Sequence, residues 1–240
     1  MKEFLSLIEK RRSIRKFKDE KIPREVVFEI LRLGQRAPTA CSFQTYSFIL
    51  IEDERREIFR LSNYQEMVLE APVLILVCAD LKRFKRVLKF AGACRKLGTS
   101  TRIFSIIDAT LAAQNMVLAC EAFGLSSVFV GSVLDNAKEI SKVLNLPEEV
   151  LPLYLLCIGC ADENPPPRPR WRLESILHKD RYREIKDEEI ERFLEEMNRD
   201  LKREEYYLKY TGRDIHYKEH LLRKTENEER NELIEKFIGG

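Results

Sequence analysis

Two clusters of arginine contain the side chains best suited to bind a phosphate group. The first is RRSIRKF, residues 11–17, where three arginines and a lysine surround one serine. The second is RPR, in which Arg168 and Arg170 flank a proline. A guanidinium group presents paired N–H donors that match two oxygens of one phosphate. Such a cluster is more often a solvated turn or loop, so neither cluster alone indicates a phosphate site. The two together are stronger evidence for one.

A third segment predicts exposed backbone donors. SSVFVGSV, residues 126–133, has the pattern of a strand that enters a turn at Gly131, and consecutive N–H groups in such a turn can face an anion or a polar ring edge. With the arginines, this segment suits a phosphorylated planar cofactor. The sequence has no GxGxxG after a strand and no GxxxxGK[ST], so a nucleotide would bind by another geometry.

Two further patterns favour structural or surface positions over redox or metal-binding roles. Cys157 and Cys160 form a CxxC, but their odd spacing on a strand points them to opposite faces, which favours a structural role over a redox or metal role. His216 and His220 have helical i,i+4 spacing with no third ligand nearby, so surface placement is favoured and no metal site is predicted.

Composition narrows the class of partner and the compartment. The 240 residues include 42 Lys+Arg and 40 Asp+Glu, a net charge of +2, so no global field attracts nucleic acid or an anionic membrane. The six cysteines lie mostly in apolar runs, and neither a signal peptide nor a membrane-length apolar segment is evident. These features predict a cytoplasmic protein without a nucleic-acid or membrane partner.

Apolar spacing predicts interleaved helices and strands. An apolar stripe from Phe4 to Ile8 predicts a first helix, with residues 11–15 at its end and in the turn beyond it. Pro23 opens a second helix that runs to about Gln35. The predicted strands are TYSFILIED, APVLILVCAD, SSVFVGSV and PLYLLCIGC. The basic segment 81–102 is predicted to be an irregular surface excursion.

The strongest helix prediction spans residues 103–123. Ile107, Leu111, Gln114, Leu118 and Ala122 follow helical spacing, small residues between them permit close packing, and Gly124 ends the helix. Asn136 and Glu139 predict a capping box for the next helix.

A change of character at Asp187 predicts a separate C-terminal part. A long charged helix has Ile190, Leu194, Met197 and Leu201 on one stripe, and a polar tail continues to Gly240. One apolar stripe on a charged helix suggests packing on another subunit as readily as on its own core.

In this order, the segments resemble those of the FMN-dependent nitroreductase family. The similar motifs within residues 1–185 are RRSIRKF, APTACSFQ, IDATLAAQNMVLACEAFGL, FVGSV and RPRW. REEYYLKYTGRD and HYKEHLLRKT resemble the C-terminal extension of the oxygen-insensitive NADPH nitroreductase and flavin reductase group. The resemblance implies an α+β fold with a central, mostly antiparallel sheet flanked by helices. It also implies an intertwined homodimer with FMN at the interface, an FMN-binding domain at 1–185, and a helical extension at 186–240 on the partner subunit.

The implied activity is a two-electron oxidoreductase. NADPH or NADH would reduce FMN, which would pass the electrons to a small-molecule acceptor such as a nitroaromatic, a quinone or free flavin in a ping-pong sequence. No catalytic side chain is required, because a fixed arginine and backbone amides can stabilise the reduced ring. The alternative is a non-catalytic flavin-binding protein whose substrate face is filled by its own residues, such as those of segment 81–102.

The resemblance also implies site residues. Arg15 would lie near the pyrimidine edge of the ring, Arg168 and Arg170 would hold the phosphate, and the loop of APTACSFQ would reach in from the partner subunit. The complete predicted cofactor-binding set is Arg11, Arg12, Ser13, Arg15, Ala40, Cys41, Ser42, Gln44, Gln65, Val130, Gly131, Ser132, Arg168 and Arg170.

Three positions depart from the family pattern. Cys41 stands where serine or asparagine is more common, and packing is favoured there over a reactive thiol. Ser132 stands where glycine is more common. Tyr210 stands where the group tends to have an arginine for the 2′-phosphate of NADPH, which leaves both nicotinamide cosubstrates open.

Overall fold

A computed structural model describes residues 2–168, 170–226 and 232–239. Its α-helices are α1 (Lys2–Lys10), α2 (Arg24–Gly34), α3 (Arg55–Leu61), α4 (Met67–Glu70), α5 (Leu81–Phe90), α6 (Thr99–Ala122), α7 (Ala137–Val143), α8 (Leu173–Ile176), α9 (Asp187–Arg203), α10 (Tyr206–Thr211), α11 (Tyr217–Glu226) and α12 (Glu232–Gly239). The strands are β1 (Tyr46–Leu50), β2 (Val73–Asp80), β3 (Ser126–Val130) and β4 (Val150–Gly159), and 3₁₀ turns cover Ala40–Ser42 and Gly131–Val133.

The four strands form one sheet in the order β1-β2-β4-β3, and each neighbouring pair is antiparallel. Strand β2 is central, and all eight of its residues are buried, as expected for a strand covered on both faces. The predicted α+β class, with an antiparallel sheet flanked by helices, is confirmed.

Strand β2 divides the core of the sheet into two clusters. Its odd-numbered residues, such as Ile75, pack with α2 and α6, while its even-numbered residues, such as Leu76, pack on the opposite face with α3, α4 and α7. Cys157 lies in the second cluster and Cys160 packs against the first, so the prediction of opposite faces is confirmed. Burial raises the pKa of Cys157 to about 12, which suppresses the reactive thiolate.

The prediction of an irregular segment over residues 81–102 is wrong. Residues 81–90 form helix α5, with Leu81 and Phe84 buried. The Asp80 carboxylate caps this helix by accepting a hydrogen bond from the Arg83 N–H at 3.0 Å. The five basic residues of α5 made its amphipathic pattern hard to recognise in the sequence. Only residues 91–98 form a connection before α6 begins at Thr99.

Helix α6 confirms the central helix, which ends before Gly124 at φ 71°, but the face that it buries differs from the stripe noted in the sequence. Its small residues, including Ala109, Ala112 and Ala113, are buried against the sheet and α2. Ile107, Leu111 and their neighbours along the stripe face outward. Within the described chain, α6 alone is long and apolar enough to cross a membrane, and 50% of its most apolar window is buried in the fold.

Two smaller predictions are also corrected. The side chain of Asn136 does not cap α7. Its Nδ2 instead donates to the Leu61 carbonyl at 2.9 Å and joins the ends of α3 and α7. The predicted polar tail includes helix α12, in which Phe237 is 4% exposed and belongs to the core cluster of α2 and α6. Arg102 of α6 donates to the Phe237 carbonyl at 2.8 Å.

The chain divides into two compact units. The first contains residues 1–165 and 231–240, and therefore includes the sheet and α12. The second contains residues 166–230 and is built on α9, the predicted charged helix, whose Leu201 is buried. Trp171 stacks on Phe193 with 3.5 Å between ring centroids, and the Tyr217 N–H donates to Asn198 Oδ1 at 3.1 Å.

Candidate functional site

The arginine segment after α1 runs beside the sheet. The Ile14 N–H donates to the Ser127 carbonyl at 3.2 Å, and the Lys18 N–H donates to the Cys160 carbonyl at 3.0 Å. Ile14 and Phe17 are buried, whereas Ser13 and Arg15 are partly exposed. Glu163 accepts the Arg15 N–H at 2.5 Å and fixes the backbone at this arginine.

Arg11 and Arg12 lie near the end of α6 rather than in open solvent. The Arg12 guanidinium donates to the carbonyls of Glu9 at 3.0 Å and Arg11 at 3.2 Å. Burial raises the pKa of Glu121, against the opposing effect of the positive charges on Arg11 and Arg12. Part of the positive potential of this segment is therefore offset by a carboxylate of the same chain.

Loop 40–45 has an unusual backbone. Cys41, Ser42 and Gln44 have φ values of 48°, 56° and 51°, in the left-handed region that few non-glycine residues adopt. Cys41, Ser42 and Gln44 are exposed, and Ala40 is half-buried. Such strained, exposed backbone is found preferentially at ligand sites, where the surrounding structure must hold it in place.

Gln65 and Ser132, predicted from separate segments, are in direct contact. Gln65 Nε2 donates to Ser132 Oγ at 2.6 Å and to the Ser62 carbonyl at 3.1 Å. The Ser132 hydroxyl donates to the same carbonyl at 2.9 Å. Since a carbonyl oxygen only accepts, these contacts fix the amide orientation of Gln65, with Nε2 toward Ser62 and Ser132.

The turn after β3 is open on one side. Val130 is buried at the end of the strand, and a Cβ added at Gly131 would meet no other atom within 4 Å. Packing within this chain therefore does not require glycine at position 131. A ligand that approached the backbone closely at this point would favour glycine, because any side chain would occupy the same space.

The proposed phosphate arginines lie in the second compact unit. Arg168 forms an ion pair with Glu204, and its guanidinium carbon lies 4.0 Å from the centroid of the Tyr206 ring. Arg170 Nη1 donates to the Arg168 carbonyl at 3.2 Å. The side chain of Tyr210 lies outside the described part of the structure.

Sequence reasoning missed Asp108 and Ser62. Asp108 is 1% exposed on α6 and binds both ends of loop 40–45, whereas Ser62 orients Gln65. The available signal for Asp108 was a lone acidic residue on the small-residue face of an apolar helix, because a buried carboxylate must be matched by donors. For Ser62 the sequence contains no comparable signal, since the functional atom is a backbone carbonyl.

Comparisons with known proteins identify the family of this chain. The model of the Nitroreductase family matches residues 8–160. An oxygen-insensitive NADPH nitroreductase from Salmonella typhimurium is 30% identical over 231 residues, 93% of this chain and 91% of that protein. An FMN reductase (NADPH) from Bacillus subtilis is 32% identical over 176 residues, 71% of each chain. The structure of nitroreductase A from Vibrio parahaemolyticus superposes with a TM-score of 0.86 at 25% identity, covering 100% of this chain and 97% of that one.

The chain therefore belongs to the nitroreductase family, and it is an oxidoreductase. The resemblance drawn from the sequence motifs is confirmed. The individual cofactor-binding residues stay predictions.

Proposed function

We propose that the protein binds FMN and uses it to transfer two electrons from NADPH or NADH to a small-molecule acceptor such as a nitroaromatic, a quinone or free flavin. The observation that carries this proposal is the open turn at Gly131 beside the fixed amide of Gln65. An open backbone edge next to a polar side chain of set orientation suits the rim of a planar ring.

Bound FMN would supply the reversible two-electron chemistry. The chain would supply binding and electrostatics: Arg168 and Arg170 for the phosphate, and the amides of Val130, Gly131 and Ser132 for one ring edge. Arg15 would stabilise negative charge on the pyrimidine edge after reduction, and its backbone is already held by Glu163. None of these roles requires a proton from a side chain, and the FMN phosphate would have to compete with Glu204 for Arg168.

The working form is proposed to be a cytoplasmic homodimer with FMN at the interface. The support is the outward stripe of α6 and the apolar side chains of α1, including Phe4, Leu5 and Ile8, all of them exposed in one subunit. Loop 40–45 would reach the flavin of the partner subunit. Residues 1–185 would form the FMN-binding domain, and the helical extension that begins at residue 186 would pack on the partner.

Colour provides the direct test of the proposed function. The purified protein should be a yellow dimer with one FMN per subunit, and NADPH or NADH should bleach it under argon. A nitroaromatic or quinone should then restore the colour. Protein that stays yellow with either nicotinamide would identify the non-catalytic flavin binder instead, and a colourless monomer that takes up no added FMN would refute both.

Gly131→Ala should separate folding from cofactor binding. The added methyl group meets no atom of this chain, so the melting temperature of the FMN-free protein should stay within the small range of surface substitutions. The same methyl would collide with a ring lying on the turn, and FMN affinity should fall by at least tenfold in a fluorescence titration. Gly98→Ala, where a Cβ is equally unhindered, is the matched control and should retain FMN. Equal FMN affinity in both variants would place the ring away from this turn.

Initial-rate kinetics should give parallel double-reciprocal lines. Because the nicotinamide and the acceptor would use the same face of one flavin, reduction and oxidation should alternate, as in a ping-pong sequence. The measurement varies NADPH at several fixed concentrations of a quinone. Intersecting lines would indicate that both substrates bind at once, and would contradict a single shared face.

A further inference from the structure

Loop 40–45 needs support from outside itself. Three of its residues have left-handed backbone conformations without being glycine, and each of them raises the energy of the folded loop. The three are exposed, so their own side chains contribute little packing. Contacts made by neighbouring elements must therefore keep this shape.

Asp108 makes such contacts with both ends. Its Oδ1 accepts the Ala40 N–H at 3.0 Å. Its Oδ2 accepts the Thr45 N–H at 3.3 Å and the Thr45 hydroxyl at 3.0 Å. A single carboxylate therefore bridges the first and last residues of the loop, from a helix that is anchored in the core.

The contacts with the loop also explain why a carboxylate is tolerated in this position. Asp108 is 1% exposed, and within the described residues no lysine, arginine or histidine forms an ion pair with it. A buried carboxylate is costly unless hydrogen bonds replace its hydration. The three donors of the loop perform this task, so the charge and the loop conformation depend on each other.

A second set of contacts holds the loop near its C-terminal end. The Arg83 guanidinium donates to the carbonyls of Gln44 and Tyr46, each at 2.6 Å. The Phe43 ring lies 4.4 Å from the Phe84 ring, centroid to centroid. Residues of α5 thus hold the C-terminal half of the loop. Asp108 of α6 links its first residue, Ala40, to its last, Thr45.

We propose that Asp108 is a positioning residue of the FMN site: its carboxylate holds loop 40–45 in the shape that contacts the cofactor. The proposal rests on the proposed function, since it assigns the loop to that site. Asparagine in place of Asp108 would keep the size but turn an NH₂ group toward one of the loop donors, and two donors facing each other cannot bond. Thr45→Val removes one of the three bonds and leaves the carboxylate in place.

Hydrogen exchange and FMN affinity together test the proposal. In the purified dimer, Asp108→Asn should speed amide exchange in the peptide covering residues 38–46 by at least tenfold and weaken FMN binding by at least tenfold. Thr45→Val should shift both in the same direction by a smaller factor. Ser105→Ala is the matched control: Ser105 is another buried polar residue of α6, and its hydroxyl bonds to Arg102 of the same helix, so the exchange of residues 38–46 should not change.

The outcomes separate this proposal from the one on which it rests. Unchanged exchange of residues 38–46 in both Asp108→Asn and Thr45→Val would show that Asp108 does not hold the loop. Faster exchange with unchanged FMN affinity would overturn the positioning role while the protein remained an FMN oxidoreductase. If Asp108→Asn does not fold, the milder Thr45→Val decides by the same two measurements. Wild-type protein without FMN would overturn the proposed function first.

Discussion

Leu111→Glu is expected to convert the proposed dimer into monomers that retain little FMN. Leu111 is 39% exposed on the outward stripe of α6, where Ile103 and Ile107 are also exposed. A two-fold interface that includes this stripe would bury the new carboxylate in both subunits. An unpaired buried charge costs several kcal/mol. Light scattering should report the mass of one subunit, and the flavin absorbance per subunit should fall to a small fraction of the wild-type value.

Val87→Glu is the control for the charge itself. Val87 is 57% exposed on α5, outside the stripe of α6, so this variant should stay dimeric and yellow. If Leu111→Glu also stayed dimeric with full FMN, the interface would have to use another surface. Monomers that kept full FMN would show that each subunit holds the cofactor alone.

Arg170→Ala is expected to weaken FMN binding with little change in the redox potential. Loss of a charge-assisted hydrogen bond costs about 1.5–3 kcal/mol, which is roughly 10- to 100-fold in affinity. The phosphate does not change charge when the ring is reduced, so both redox states should lose the same affinity. Fluorescence titration with FMN gives the affinity, and a redox titration at full occupancy gives the potential.

Arg15→Ala is expected to lower the midpoint potential. A guanidinium beside the pyrimidine edge stabilises the reduced ring more than the oxidised ring, and each ~1.4 kcal/mol of that difference corresponds to about 30 mV in a two-electron couple. Lys16→Ala is the neighbouring control, because it removes a positive charge one residue away, from a side chain that is exposed to solvent. A shifted potential in Arg170→Ala with a normal one in Arg15→Ala would reverse the placement of the cofactor.

The elements that follow simple periodicity could be predicted from the sequence. The four strands and α6 were visible because strand alternation and helical spacing depend only on neighbours along the chain. It was harder to predict which face of each helix packs against the core. The outward stripe of α6 is as apolar as a core stripe, and only the sheet shows that the small residues are the ones that pack.

The missed features depend on contacts that spacing does not encode. Helix α5 was hidden by its charge, although Asp80 followed by Leu81 and Phe84 is a valid start signal. The arginines and Gly131 were assigned to the site by residue type and order, and these assignments stay predictions. The bond between Gln65 and Ser132 joins residues 67 positions apart. It exists only because the connection between α3 and α4 meets the turn after β3 in three dimensions.

Helix α12 has a consequence for the order in which the protein assembles. Residues 232–239 leave the ribosome after the whole second unit, yet Phe237 is part of the core built on α6. Until then the nascent first unit exposes the apolar surface that Phe237 will cover, and Arg102 lacks its carbonyl partner. The first unit is therefore completed only after the second unit has been synthesised. The delay between synthesis of residue 165 and synthesis of α12 is set by the time needed to translate the inserted residues 166–230.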